Sequence, residues 1–269
     1  MWLKLTAEKL TKEGYAKDID ALLIAEPSGY RCVYANKGGD VTIDSKGQAA
    51  HSSMPKAGAN AVEHLLRVLN TIESKVKKAT DGVTNEILGK TVFNIDVIHG
   101  GNQINAIPAS AQAQVNMRTP LEFPNDQLEE IFNEVITDYN EQTDAQVDYS
   151  VTMNTIPITG EKDSSLVQLI QKIGKPYVQN QNMSASEIKV AENPTKLMGM
   201  KFSTEEILTM GMPPGTDGSK FLFDQPNSLD YTMFGPGNDT MHKDNESLTK
   251  AMYFDFIEIF KQLFTEYLS

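Results

Sequence analysis

The clearest sequence pattern in the middle of the chain is Ala111-Gln-Ala-Gln-Val-Asn-Met-Arg118. Its apolar and polar side chains alternate along the whole stretch, which is typical of a β-strand with one face in a core and the other in solvent. A half-buried strand of this kind needs neighbouring strands and a covering layer. The flanking sequence predicts both.

Before this strand, the pattern predicts a short strand at 41–44, a long helix from residue 61 and a strand at 91–98. After it come a helix at 126–139 and an alternating strand at 146–153. The long helix has one apolar stripe at helical spacing, formed by Ala61, Val62, Leu65, Leu66, Leu69, Ile72 and Val76. The order β-α-β-β-α-β is that of a ferredoxin-like sandwich. We therefore predict an inserted α+β domain over residues 40–153.

The two ends of the chain, residues 1–39 and 154–269, predict a second domain of α/β type. Asp20-Ala-Leu-Leu-Ile-Ala-Glu26 is a short apolar run, typical of a strand buried on both faces of a parallel sheet. Glu26 then lies at the carboxyl end of this strand, which is the end at which open α/β sheets bind their ligands. Helices are predicted at 3–13, 164–175, 204–209 and 247–267, and a further strand at 230–234.

Composition excludes several classes of protein. The 269 residues carry a formal charge of -12, which would repel a nucleic acid. The one cysteine rules out a disulfide framework within the chain and an all-cysteine zinc site. The N-terminal sequence has no signal-peptide core, and no apolar run approaches the ~20 residues that cross a bilayer. We expect a soluble, cytoplasmic protein without nucleic-acid or membrane partners.

Four histidines are the first candidates for chemistry. His64 has no polar companion at ligand spacing, and His99 ends a predicted strand beside Gly100-Gly101, so we interpret both as structural. His51 and His242 lie in polar, glycine-containing loops, where functional side chains are often found. Glu26 by itself fits an ordinary carboxylate at a strand end equally well. The sequence contains no HExxH, GxSxG, P-loop or GxGxxG motif.

Six segments in a fixed order identify a resemblance. They are Ile24-Ala-Glu-Pro-Ser28, Gly47-Gln-Ala-Ala-His-Ser-Ser-Met-Pro55 with Gly58-Ala-Asn-Ala61, Gly100-Gly-Asn-Gln-Ile-Asn-Ala-Ile-Pro108, Asn116-Met-Arg118, Gly215-Thr-Asp-Gly218, and Phe234-Gly-Pro-Gly237 with His242. Over essentially its whole length the chain resembles the M20 metallohydrolases, and within them the acetylornithine deacetylase and succinyl-diaminopimelate desuccinylase branch. The resemblance implies a zinc-peptidase-like three-layer α/β domain, present in part, with an inserted ferredoxin-like lid and dimerisation domain.

The resemblance also implies a metal centre. In this family two zinc or cobalt ions act together. Glu26 matches a ligand of one ion and His242 a ligand of the other. Carboxylate and imidazole groups suit these metals.

Four further residues match positions that contact substrate. His51 matches a lid histidine that reaches into the partner subunit's site and stabilises the oxyanion, and Asn105 matches a lid residue near the same group. Arg118 matches the arginine that binds the substrate carboxylate, a role that its planar guanidinium suits. Thr216 lies in the glycine-rich loop that contacts substrate. Without the resemblance, Arg118 would be interpreted as a surface arginine.

The chain also departs from the family pattern. We find no match to the first metal-binding histidine with its aspartate, to the bridging aspartate, or to the Glu-Glu pair that supplies the general base. The resemblance therefore implies that the N-terminal part is lacking, that the isolated chain binds metal weakly or not at all, and that it is inactive.

The expected function is that of a metal-dependent amide hydrolase. It would remove a succinyl or acetyl group from a small N-acyl amino acid, most like succinyl-diaminopimelate desuccinylase, and would form a homodimer through the lid domain. One alternative is a non-catalytic dimerisation or binding fragment of such an enzyme. Another is an M20 dipeptidase or aminoacylase.

Overall fold

The computed structural model describes residues 9–15, 19–181, 185, 188–189, 192, 202–222, 230–238, 240–241 and 244–269. The chain divides into two compact units. Unit 1 comprises Met1–Asn36, Ile158–Met212 and Thr216–Ser269, and unit 2 comprises Lys37–Pro157 and Pro213–Gly215. The function of each unit stays a prediction.

The helices and strands have the following bounds. In chain order they are β1 (Ala21–Ile24), β2 (Arg31–Asn36), β3 (Gly38–Lys46), α1 (Ala61–Ala79), β4 (Val92–Gly100), β5 (Ser110–Thr119), α2 (Asn125–Gln142), β6 (Gln146–Met153), β7 (Ile158–Thr159), α3 (Ser165–Gln179), β8 (Leu208–Met212), α4 (Gly218–Phe221), β9 (Asp230–Met233) and α5 (Lys250–Tyr267).

Unit 2 contains a four-stranded antiparallel sheet in the order β4-β5-β3-β6. Helices α1 and α2 pack against the sheet and against each other, and the apolar core lies between these layers. Helix α1 begins at Ala61 because the Asn60 side chain accepts the free backbone N–H groups of Val62 and Glu63. The predicted β-α-β-β-α-β sandwich is confirmed.

One predicted core residue of unit 2 is placed wrongly. Leu66 is 43% exposed, whereas Val68 is fully buried on the same helix. The buried stripe follows Leu65, Val68 and Leu69, and Leu66 is rotated about 100° from Leu65 because a helix has 3.6 residues per turn. The prediction counted Leu66 because it is apolar, although its angular position turns it away from the core.

Unit 1 contains a five-stranded mixed sheet. Strands follow the order β1-β9-β2-β7, and β8 also pairs with β2. β1 is parallel to β9, and β2 is parallel to β8. Helices α3 and α5 contact each other, and their apolar side chains share a core with Cys32 of β2 and Phe234. The mixed α/β architecture agrees with the predicted fold class.

Two predictions for unit 1 are wrong. Strand β1 is half-buried at all four positions rather than buried on both faces, since among the described strands it pairs with β9 alone. The helix predicted at 204–209 does not form. Residues 204–206 are a bend, and Leu208–Met212 pairs with β2 as a strand. Of the helix predicted at 3–13, the described residues 9–12 are helical. No helix in the described ranges has the length and apolar character to span a membrane.

Candidate functional site

In unit 1, the loops that follow β1 and β9 lie side by side. The backbone N–H groups of Ser28 and Gly29 both donate to the carbonyl of Gly235, at 3.1 and 3.0 Å. The approach is so close that a Cβ on Gly235 would lie 2.6 Å from the carbonyl oxygen of Glu26. Because β1 and β9 are parallel, their carboxyl ends leave the sheet at the same edge. Glu26 is therefore held at that edge.

The Glu26 carboxylate is oriented by the glycine-rich loop at 215–218. The Thr216 hydroxyl donates to Oε1 at 2.8 Å, and the backbone N–H of Asp217 donates to the same atom at 2.9 Å. The N–H of Gly218 in turn donates to the Thr216 hydroxyl at 3.2 Å. Both groups donate to Oε1, and Oε2 accepts no hydrogen bond from the described residues. The structure thus brings together two predicted site residues, Glu26 and Thr216.

A buried tyrosine that sequence reasoning missed lies beside this pair. Tyr231 is fully buried, and its hydroxyl donates to Asn36 Oδ1 at 2.7 Å. Burial raises the pKa of Tyr231 above its usual range, and the nearby charge of Glu26 acts in the same direction. Tyr231 therefore stays protonated. The sequence of β9 predicts only a strand, and nothing in it indicates that the Tyr231 hydroxyl lies near Glu26.

His242, the second predicted metal ligand, lies outside the described residues. The chain on either side of it is joined by hydrogen bonds. The Asn238 amide donates to the carbonyl of Ser247 at 2.7 Å, and the N–H of Ser247 donates to Thr240 Oγ1 at 3.0 Å. These bonds join described residues that precede and follow position 242. They do not place its side chain relative to Glu26.

The described residues do not by themselves fit a zinc or cobalt ion. They contain no group of three or more histidine, cysteine, aspartate or glutamate side chains that could hold a metal. A catalytic zinc takes three protein ligands and a water.

In unit 2, two loops bring His51 and Asn105 close to each other. The N–H of Ser52 donates to the Asn105 carbonyl at 3.0 Å, the N–H of Ile107 donates to the Ala50 carbonyl at 2.8 Å, and His51 forms a β-bridge with Ala106. Both predicted lid residues are exposed on this short antiparallel pairing. The sequence motifs predicted a shared location, and the structure shows the backbone pairing that creates it.

The contacts of His51 define its tautomer. The backbone N–H of Ser53 donates to His51 Nδ1 at 3.2 Å, and the Ser53 hydroxyl lies 2.8 Å from the same nitrogen. Because Nδ1 accepts the N–H, the neutral ring carries its proton on Nε2. Nε2 is then a hydrogen-bond donor, as an oxyanion would require.

Arg118 is held at the far end of β5. Its Nη1 donates to Asp40 Oδ1 at 2.7 Å, to the Gly39 carbonyl at 2.8 Å and to the Met117 carbonyl at 2.7 Å. The side chains of Arg118 and Asp40 are each 21% exposed. Sequence reasoning missed Asp40, whose only signal was its place on the strand paired with β5.

The predicted substrate residues of unit 2 do not form one cluster. The loop of His51 joins the sheet where Gly47 N–H donates to the carbonyl of Ala109, just before β5 begins. Arg118 is near the other end of the same strand. At about 3.3 Å per residue these ends are roughly 25 Å apart. One small ligand cannot contact both side chains within a single unit 2.

Comparisons with known proteins extend these observations. Residues 35–144 match the M20_dimer family, described as a peptidase dimerisation domain. A probable succinyl-diaminopimelate desuccinylase from Staphylococcus aureus is 29% identical over 97% of this chain, and the chain spans 64% of the length of that relative. Among solved structures, the dipeptidase Dug1p from Saccharomyces cerevisiae has a TM-score of 0.66 at 12% identity, covering 98% of this chain and 63% of Dug1p.

A tripeptidase from Staphylococcus aureus has a TM-score of 0.58 at 18% identity, covering 97% of this chain and 62% of its own. At these identities the structural matches establish the fold. The resemblance to the M20 family is therefore confirmed: residues 35–144 match the M20 peptidase dimerisation domain, and the chain is similar in fold to solved structures of a dipeptidase and a tripeptidase.

Proposed function

We propose that this chain carries the substrate-binding and dimerisation part of a metal-dependent amide hydrolase. Its substrate is a small N-acyl amino acid, from which a succinyl or acetyl group is removed, as in succinyl-diaminopimelate desuccinylases. The similarity to a probable enzyme of that name over 97% of this chain supports the substrate class.

The proposal gives each candidate residue one role. Glu26 and His242 would each supply one ligand to one of two zinc or cobalt ions, which this chain alone binds weakly or not at all. Thr216 orients the Glu26 carboxylate through its 2.8 Å hydrogen bond. His51 donates a hydrogen bond from Nε2 to the oxyanion, and Asn105 lies near the same group. Arg118 binds the substrate carboxylate.

One observation carries the homodimer in this proposal. His51 and Arg118 lie at opposite ends of β5, so one substrate contacts both only if two chains contribute. Unit 2 matches a peptidase dimerisation domain, which supports a paired arrangement of this unit. A two-fold axis then places His51 of one protomer and Arg118 of its partner in the same site, twice per dimer.

Mixing two variants tests this arrangement. His51→Ala and Arg118→Met dimers each have no complete substrate site. After subunit exchange, half of the dimers are mixed, and one of the two sites in each has both residues, so about a quarter of the original sites are restored. Calorimetric binding of N-succinyl-diaminopimelate counts the sites, and each variant exchanged with itself is the control. Mixing that restores no sites would show that the two residues act within one chain.

A further inference from the structure

Lys37 is a buried cation that the proposed function does not use. The residue is 3% exposed at the start of unit 2, and its ammonium group donates to the carbonyl of Lys90. Buried lysines are normally paired with a carboxylate, since an unpaired buried charge is costly. Among the described residues no carboxylate forms an ion pair with Lys37. Its one identified acceptor is a neutral carbonyl.

A second cation lies close to Lys37. Burial lowers the pKa of Lys37, and the positive charge of Arg118 lowers it further. Arg118 is paired with Asp40 at 2.7 Å. Lys37, Arg118 and Asp40 thus form a group of two cations and one carboxylate that is already paired. Its charge is not balanced within the described residues.

The backbone also brings the two cations to the same end of the sheet. Lys37 donates to the carbonyl of Lys90, just before β4, and Val92 of β4 pairs with Arg118 of β5. Gly38, which follows Lys37, pairs with Thr119, which follows Arg118. Two cations thus lie where β4 begins and β5 ends, and an arriving anion would balance their charge.

We propose that Lys37 is the second cation of an anion site centred on Arg118, and that its charge makes the site select an ionised carboxylate over a neutral carboxamide. This inference rests on the proposed function, which assigns Arg118 to the ligand carboxylate. Arg118 is partly exposed and contacts the ligand. Lys37 is buried and acts through its electric field, which a low-dielectric surrounding screens only weakly. Lys37 is thus a specificity-determining residue.

The test compares two ligands that differ only in this charge. N-acetylornithine and N-acetylornithine carboxamide are titrated into the 269-residue chain by calorimetry at pH 7. We expect the unmutated chain to prefer the carboxylate. Lys37→Met should reduce that preference by about fivefold to tenfold and leave carboxamide affinity unchanged. Lys90→Met is the matched control, because Lys90 is exposed and contributes only its carbonyl. It should leave the preference intact.

Three results would overturn the inference. They are no preference in the unmutated chain, no binding of either ligand, and an equal loss of both ligands in Lys37→Met. If Lys37→Met lacks a cooperative melting transition, Lys37→Gln decides instead. Glutamine removes the charge and keeps an N–H donor for the Lys90 carbonyl, so the preference should fall as expected for Lys37→Met, and an unchanged preference would contradict the inference.

The outcome is separable from that of the proposed function. A preference that depends on Lys37, with no restoration on mixing the His51 and Arg118 variants, would overturn the shared dimer site alone. If mixing restores binding sites but Lys37→Met leaves the preference for the carboxylate unchanged, this inference alone is overturned.

Discussion

The two units of this chain are assembled from different kinds of contact. Apart from residues 213–215, unit 2 is one continuous stretch, and all the strand pairings of its sheet fall within that stretch. Unit 1 joins segments from both ends of the chain, since Ala21 pairs with Asp230 and Arg31 pairs with Leu208. The pattern of one continuous stretch therefore contains every strand of the unit 2 sheet, whereas unit 1 depends on pairings that no single stretch contains.

The units also hold their candidate groups differently. In unit 1, Glu26 is fixed by Thr216 and by a loop from the other end of the chain. In unit 2, His51 and Asn105 are exposed on paired loops, and Arg118 is anchored on the sheet. Damage to the core of one unit should therefore leave the groups of the other unaffected.

The largest expected effect is in the core of unit 2. Leu65→Ala removes a fully buried side chain and should lower the free energy of unfolding of this unit by about 2–5 kcal/mol. Leu66→Ala is the matched control, one residue away and 43% exposed, and should cost less than about 0.5 kcal/mol. Urea unfolding followed by circular dichroism measures both. Equal losses would show that Leu66 packs in the core after all.

A smaller effect is expected at the Glu26 site of unit 1. Thr216→Val removes the hydroxyl that donates to Oε1 and should cost about 1–2 kcal/mol, because a hydrogen bond to a charged group is lost. Thr216→Ser keeps the donor and should recover most of that loss. The same unfolding measurement compares them. If serine and valine are equivalent, the hydrogen bond does not hold Glu26.

The smallest expected effect is on the labelling of Cys32, which shows whether the two units unfold independently. Cys32 is fully buried on β2 in unit 1, and burial raises the pKa of its thiol to about 12. The reactive thiolate is therefore scarce below that pH, and native protein should not react with a disulfide reagent at pH 8. Reactivity should appear only as unit 1 unfolds. Leu65→Ala should leave Cys32 protected, and rapid labelling in that variant would show that the units unfold together.

Sequence patterns predicted the helices and strands correctly where the spacing of apolar residues matches the buried face of the element. The alternation of residues 111–118 predicted β5, and the apolar spacing from Ala61 predicted α1. Leu66 shows the limit, because being apolar does not fix which way a side chain points. The helix predicted at 204–209 failed for another reason: pairing with β2 overrode a weak local preference.

The candidate site was predictable only through ordered motifs. They indicated Glu26 and Thr216, which the structure joins at 2.8 Å. No motif indicated Tyr231 or Lys37, because both are distinguished only by their burial beside charged residues that are distant in sequence. The roles assigned to Glu26, His51, Asn105, Arg118, Thr216 and His242 stay predictions until they are measured.

Metal content and hydrolysis, measured on the same sample, test whether this chain binds substrate without holding a complete metal site. After dialysis against zinc-free buffer, the 269-residue chain should retain fewer than about one zinc ion, because its described residues offer no three-ligand group. Hydrolysis of N-succinyl-diaminopimelate and N-acetylornithine should then stay near background, while both ligands still bind in a manner that depends on Arg118. Close to two zinc ions per chain with steady turnover would contradict the account and show that the metal site is elsewhere.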